Sequence, residues 1–80
     1  MPRVRVLSAK QILKIFSLFG FEKVRQAGSH MVLNRKTDMG NQVLVIPNHK
    51  ELKKPTIKDI YSQACKYINS EELSDYFFIK

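Results

Sequence analysis

Apolar residues recur at helical spacing over Ala9, Ile12, Leu13, Phe16 and Phe19, which predicts a helix over residues 9–19 with one core-facing stripe. Ser8 and Gln11 stand three apart at its start, the spacing of a capping box in which hydroxyl and amide side chains satisfy each other's backbone N–H groups. Gly20 follows the last apolar position, where a left-handed residue ends such a segment. From Phe21 the period drops to two. Phe21, Lys23 and Arg25 alternate with Glu22, Val24 and Gln26, a weakly sided strand over 21–26. Ala27-Gly28 reads as a tight reversal. Ser29 to Arg35 follows as a second strand, with Ser29, Met31 and Leu33 on one face and His30, Val32 and Asn34 on the other. If Met31 and Leu33 face the core, His30 faces solvent.

Residues 36–41 are rich in turn formers and lead into Gln42-Val43-Leu44-Val45-Ile46, the strongest strand in the chain, which Pro47 is expected to stop. A polar, basic loop covers 48–54. Pro55-Thr56 then opens a second helix, in which Thr56 and Asp59 have the spacing of a cap and Ile57, Ile60, Tyr61, Ala64 and Ile68 form the apolar stripe. Asn69-Ser70 breaks it. Ser70 is expected to cap a short last helix, with Glu71 and Glu72 at the positive end of its dipole. Leu73, Tyr76 and Phe77 can pack back on the body, while Phe77, Phe78 and Ile79 either dock on the domain or meet a partner.

The expected class is α+β: helix, three antiparallel strands, helix and a short C-terminal helix, in one domain over residues 1–80. A three-stranded antiparallel sheet with its helices on one face leaves the other face open. That is the layout of a double-stranded-RNA-binding domain.

Charge sharpens the picture. The formal net charge is +7 over 80 residues, and it is carried by residues 1–50, where nine Lys/Arg face only Glu22 and Asp38. A basic surface of this kind suits a polyanion, because neutralised phosphates release counterions. No long basic amphipathic helix or bilayer-length apolar run is present, so nucleic acid outranks a membrane and the expected location is cytoplasmic. The single cysteine, Cys65, excludes an internal disulfide and reads as a small core side chain. Two histidines without clustered carboxylates or cysteines offer too few ligands for zinc.

RNA carries its own nucleophile, the 2′-hydroxyl. A ribonuclease that uses no metal needs only a base, an acid and cations for the phosphorane, and an imidazole that titrates near neutral pH suits either proton-transfer role. On this layout His30 stands on or beside the open face among Lys23, Arg25, Arg35 and Lys36. Read on its own, it is either an acid–base group or a surface hydrogen-bonder of the hairpin. Gly28 and Ser29 before it can supply hairpin chemistry, close approach of a phosphate and donors to its oxygens. His49 is a possible second acid or base, or a cap for its own loop. Lys10 and Lys14 join the candidate phosphate contacts.

Gly20-Phe21, Arg25-Gln26-Ala27-Gly28-Ser29-His30, Val45-Ile46-Pro47-Asn48-His49 and Glu51-Leu52-Lys53-Lys54-Pro55-Thr56-Ile57 together resemble the HicA toxin family of bacterial toxin–antitoxin systems, in order over residues 8–66. The resemblance implies a small ribonuclease of double-stranded-RNA-binding-domain-like fold that cleaves mRNA and arrests growth until a HicB-type antitoxin covers it. It also implies that the histidine of Gly-Ser-His, here His30, is catalytic. Pro55 stands where many relatives have Gly, a change compatible with a helix start. Relatives tend to end soon after the second helix, so residues 70–80 inherit no role.

The resulting expectation is a metal-independent endoribonuclease without cofactor. His30 is its catalytic residue, and Lys10, Lys23, Arg25, Gly28, Ser29, Arg35 and Lys36 contact RNA. Its partners are mRNA and an antitoxin with which it forms a hetero-oligomer. The alternative is a non-catalytic double-stranded-RNA-binding module, for which Lys53, Lys54 and Lys58 at the second helix would be natural contacts.

Overall fold

A computed structural model describes residues 3–79. Met1, Pro2 and Lys80, included in the domain expected over 1–80, lie outside the described residues. The first helix, α1 (Ala9–Leu18), starts on the capping box: Gln11 N–H donates to Ser8 Oγ at 3.2 Å and Ser8 N–H to Gln11 Oε1 at 2.9 Å. Its end is a Schellman motif. Phe21 N–H reaches Phe16 O at 3.1 Å and Gly20 N–H reaches Ser17 O at 3.1 Å, with Gly20 at φ 90°. The rings of Phe16 and Phe21 meet edge-on at 6.0 Å, the apolar contact that accompanies this motif. Phe21 therefore belongs to the helix cap and the core, and the first strand of the sheet begins one residue later than expected.

Strands β2 (Glu22–Ala27), β3 (His30–Thr37) and β4 (Gly40–Pro47) form an antiparallel sheet in that order. The β2–β3 reversal is Gly28-Ser29, with Ala27 opposite His30, one residue beyond the expected Ala27-Gly28. Gly28 has φ 59° and, among the described residues, no non-glycine residue is left-handed, so the first loop position alone carries the positive angle, as in a type II′ turn whose twist matches the strands. The expected loop over 36–41 contracts to Asp38-Met39, because Thr37 Oγ accepts from Met39 N–H at 3.2 Å and donates to Gly40 O at 2.8 Å. β4 ends at Pro47 as expected, with the proline itself as its last residue. At the end of an edge strand its missing N–H breaks no ladder bond.

Helix α2 (Lys54–Ala64) begins before Thr56. Lys53 is the N-cap and makes no side-chain cap bond. Pro55 sits in the first turn, where its lack of a donor costs nothing, and this places Thr56 inside the helix, unable to cap it. Helix α3 (Ser70–Phe77) is capped by Asn69 instead of Ser70, since Asn69 Oδ1 accepts from Glu71 N–H at 2.9 Å and Glu72 N–H at 3.2 Å. Ile68 lies past the end of α2 but remains buried. Two short strands, β1 (Arg3–Val4) and β5 (Phe78–Ile79), pair antiparallel and tie the ends of the domain together.

The core lies between one face of the sheet and the helices. Met31, Leu33, Leu44 and Ile46 supply the sheet side, and Ile12, Phe16, Ile57, Ile60, Leu73 and Phe77 the helical side. The result is the α-β-β-β-α layout of a double-stranded-RNA-binding domain. Phe77 settles the open alternative for the C-terminal aromatics by docking: it is wholly buried and its ring lies 5.8 Å from Phe16 and 5.6 Å from Tyr61. Burial pushes the Tyr61 hydroxyl above the usual phenol range, and its hydrogen bond to Cys65 acts in the same direction.

Arg35 fastens three segments to this core. Its Nε donates to Gln42 Oε1 at 2.8 Å, Nη1 to Phe19 O at 2.8 Å and Nη2 to Tyr67 O at 3.0 Å, while the guanidinium lies 4.8 Å from the centre of the Phe21 ring. The side chain thus joins the end of α1, the turn after α2 and β4. Replacement of Arg35 by Ala strands two carbonyls and removes the cation–π contact, for an expected loss of about 2–3 kcal/mol. Lys recovers little of it, since one ammonium cannot span the fork. Chemical denaturation is the check, and a variant within about 0.5 kcal/mol of wild type refutes the clamp.

Candidate functional site

Strand alternation sets the faces. Met31 and Leu33 are buried, so His30, Val32, Asn34 and Lys36 point away from the helices, and His30 is exposed. Its place at the first position of β3, opposite both Ala27 and Pro47, follows from the glycine turn that precedes it.

Three neighbouring segments close on that end of the sheet. Asn48 N–H donates to Ser29 O at 2.6 Å, which joins the loop after β4 to the β2–β3 turn. Ala9 N–H donates to His49 O at 3.1 Å and Leu52 N–H to Leu7 O at 3.3 Å, so the same loop is held against the start of α1. A hollow beside the start of α1 is lined by Ser8, Ala9, Lys10, Asn48, His49 and Lys50. Gly28, Ser29, His30, His49 and Lys10 are thereby gathered on adjoining segments from three parts of the sequence. Two imidazoles, exposed backbone at a turn and two lysines can exchange protons with, and hold, a phosphodiester. A Cβ placed on Gly28 would meet nothing within 4 Å, so the turn leaves room for a close approach.

The remaining basic candidates divide. Arg25 pairs with Val32 and so shares the face of His30. Lys23 does not: a β-bulge between Lys23 and Arg25 pairs Lys23 with Leu33, on the opposite face, where its ammonium donates to Gln26 Oε1 at 3.3 Å. Lys36 shares the open face but lies six residues along β3 from His30, roughly 20 Å away at strand rise. Arg35 faces the helices, and each of its three nitrogens donates to an acceptor within the protein, so a contact from it to RNA would compete with those bonds. Lys10 and Lys14 are exposed on one side of α1.

Asn48 and Lys50, from the polar, basic loop over 48–54, also line the hollow although neither was an expected site residue; the signal is their adjacency to His49 directly after Pro47. Among the described residues, no three His, Cys, Asp or Glu side chains gather where they could hold a metal ion, and no helix is long and apolar enough to cross a membrane.

The family model described as HicA toxin of bacterial toxin–antitoxin matches residues 9–65. No curated protein and no solved structure matches the chain.

Proposed function

Since the chain belongs to the HicA toxin family of bacterial toxin–antitoxin systems, we propose that it is an endoribonuclease that cleaves mRNA in the cytoplasm, without metal or cofactor, until a HicB-type antitoxin binds and covers it. The observation that carries this reading is His30 standing exposed at the first position of β3, at the end of the sheet where the Gly28-Ser29 turn, His49 and Lys10 converge.

In the proposed reaction the ribose 2′-oxygen attacks the adjacent phosphorus as its proton passes to a base. The bond from phosphorus to the 5′-oxygen breaks, and that oxygen takes a proton from an acid. The products are a 2′,3′-cyclic phosphate and a 5′-hydroxyl end. His30 performs one of the two proton transfers, and His49 is the neighbouring imidazole available for the other. Gly28 and Ser29 accommodate the phosphate at the turn, and Arg25 and Lys10 offset its charge from the open face and from α1. Lys36 lies along the same face for more distant phosphates, while Lys23 can reach RNA only around the edge of β2.

The test is incubation of the purified chain with RNA in the presence of a chelator. Fragments with 5′-hydroxyl ends are expected; intact RNA overturns the proposal. If roughly three to five of these cations touch phosphates, affinity for single-stranded RNA should fall by about 20- to 130-fold between 50 and 200 mM salt. A flat response would show that the basic surface does not track the backbone.

The exposed lysines at the start of α2, Lys53, Lys54 and Lys58, favour a second reading as a non-catalytic module for double-stranded RNA. That reading expects salt-sensitive binding with no cleavage in the same assay.

A further inference from the structure

The open face of the sheet is not uniformly basic. Cross-strand pairing sets Val32 directly opposite Val45 and Asn34 opposite Val43, so three valines adjoin at its centre. Val24, at the bulge, borders the same face beside Glu22, Asn34 and Lys36. Val24, Val43 and Val45 are 58%, 44% and 42% exposed. Threonine at such positions would keep the β-branch that suits a strand without presenting methyl groups to water. A contiguous apolar patch within a charged rim marks a surface that another molecule covers.

The occupant can be narrowed. The three helices are not on this face, and the described terminal strands β1 and β5 are paired with each other. RNA gains little from valine, which has neither a ring for a base to stack on nor a donor for phosphate. Strand addition at the sheet edges is also impeded. The bulge distorts β2, and the Gln63 side chain occupies the outer edge of β4, its Oε1 accepting from Val45 N–H at 3.0 Å and its Nε2 donating to Val45 O at 3.5 Å. A partner therefore meets the face and not an edge. Around the valines stand Arg25, Lys36 and His30, with Glu22 as the acid on this face. A second copy would bring a like-charged rim against this one, whereas a protein with an apolar centre and acidic margin complements it.

We propose that the valine-centred open face of the β2–β3–β4 sheet is the docking surface for the antitoxin, which offers it an apolar patch flanked by acidic side chains. The inference rests on the toxin reading above and adds the location of the interface. His30 is two residues from Val32 along β3 on the same face, so a body seated on the valines roofs the imidazole without bonding to it. The apolar share of the affinity then comes from valines that take no part in cleavage, and inhibition follows from cover of the imidazole and of the rim cations.

The test uses the full chain and the protein encoded by the reading frame adjoining its own. In a double variant, Val43→Lys with Val45→Lys, affinity for that protein should fall by about 100-fold. Cleavage of RNA by the free variant should stay within about threefold of wild type, and added antitoxin should no longer suppress it. If the lysines disturb folding, Val43→Thr with Val45→Thr keeps the β-branch and asks the same question. Unchanged antitoxin affinity overturns the proposal. So does loss of RNA cleavage in a variant with a normal thermal transition, which would assign the face to RNA. Dimerisation of the wild-type chain that the variant abolishes would assign it to a second copy. Because antitoxin binding is read without any turnover, a wild type that binds through these valines but leaves RNA intact would sink the nuclease reading and spare this one.

Discussion

Exchange of His30 for alanine is expected to lower the rate of RNA cleavage by about 10²- to 10⁴-fold, the usual worth of one positioned acid or base, with the fold unchanged. The stability half of this expectation follows from the exposed side chain: β3 holds its place through backbone pairing and through Met31 and Leu33 beneath it, so removal of the ring should cost at most about 0.5 kcal/mol. The catalytic half requires the loss to fall in kcat with RNA affinity largely kept, since Arg25 and Lys10 remain to attract the backbone. Single-turnover cleavage and equilibrium binding on the same preparation separate the two. A variant as active as wild type removes His30 from the chemistry. One that cleaves normally at saturating RNA but binds it poorly makes His30 a contact. His49→Ala run alongside tells whether the second proton passes through the other imidazole: a comparable loss in kcat says that it does, and an unaltered rate leaves that transfer to solvent.

The parts of this fold that were legible in the sequence are those fixed by neighbours close in the chain. Ser8 with Gln11, Gly20 after an apolar position, and Met31 with Leu33 two apart each state a local constraint, and each is met. What stayed hidden depends on pairing across the sheet. The alternation of Lys23 with Arg25 suggested one shared face, but the extra residue at the bulge breaks the period, and only the partner strand records it. Arg35 read as a surface cation because its acceptors, Phe19 O, Gln42 Oε1 and Tyr67 O, come from 16, 7 and 32 positions away. The valine face was masked for a different reason. Val43-Leu44-Val45-Ile46 is apolar throughout, so nothing in the sequence says which two residues face the helices.

The placement of His30 was legible because strand period and glycine turn are both local. The company it keeps was not. His49 reaches the same end of the sheet through Asn48 N–H on Ser29 O and Ala9 N–H on His49 O, two backbone bonds that carry no mark in side-chain identity. The candidate site is thus one residue that the pattern positions and several that the tertiary structure delivers. A substitution in the β4–α2 loop can therefore disturb the site without touching His30.

Truncation after Asn69 should abolish cooperative folding altogether. The residues removed include Leu73 and Phe77, both fully buried, and Phe78, whose ring packs edge-on against Tyr61 at 5.0 Å. Their loss uncovers Phe16 and Tyr61 and deprives Val4 of its strand partner. Deleting a buried Phe or Leu side chain costs about 3–5 and 2–5 kcal/mol respectively. The sum rivals the whole stability of a domain this size, about 4–12 kcal/mol at the usual value per residue. The truncated chain should show no sigmoidal thermal transition, and Phe77→Ala alone should shift the denaturation midpoint by the equivalent of about 3–5 kcal/mol. Both follow from α3 being part of the core despite lying beyond the residues that match the family model. A truncated chain that melts like the full one, or a Phe77→Ala variant of unchanged midpoint, would show that the residues up to Asn69 complete the core without α3 and that the C-terminal helix is an appendage.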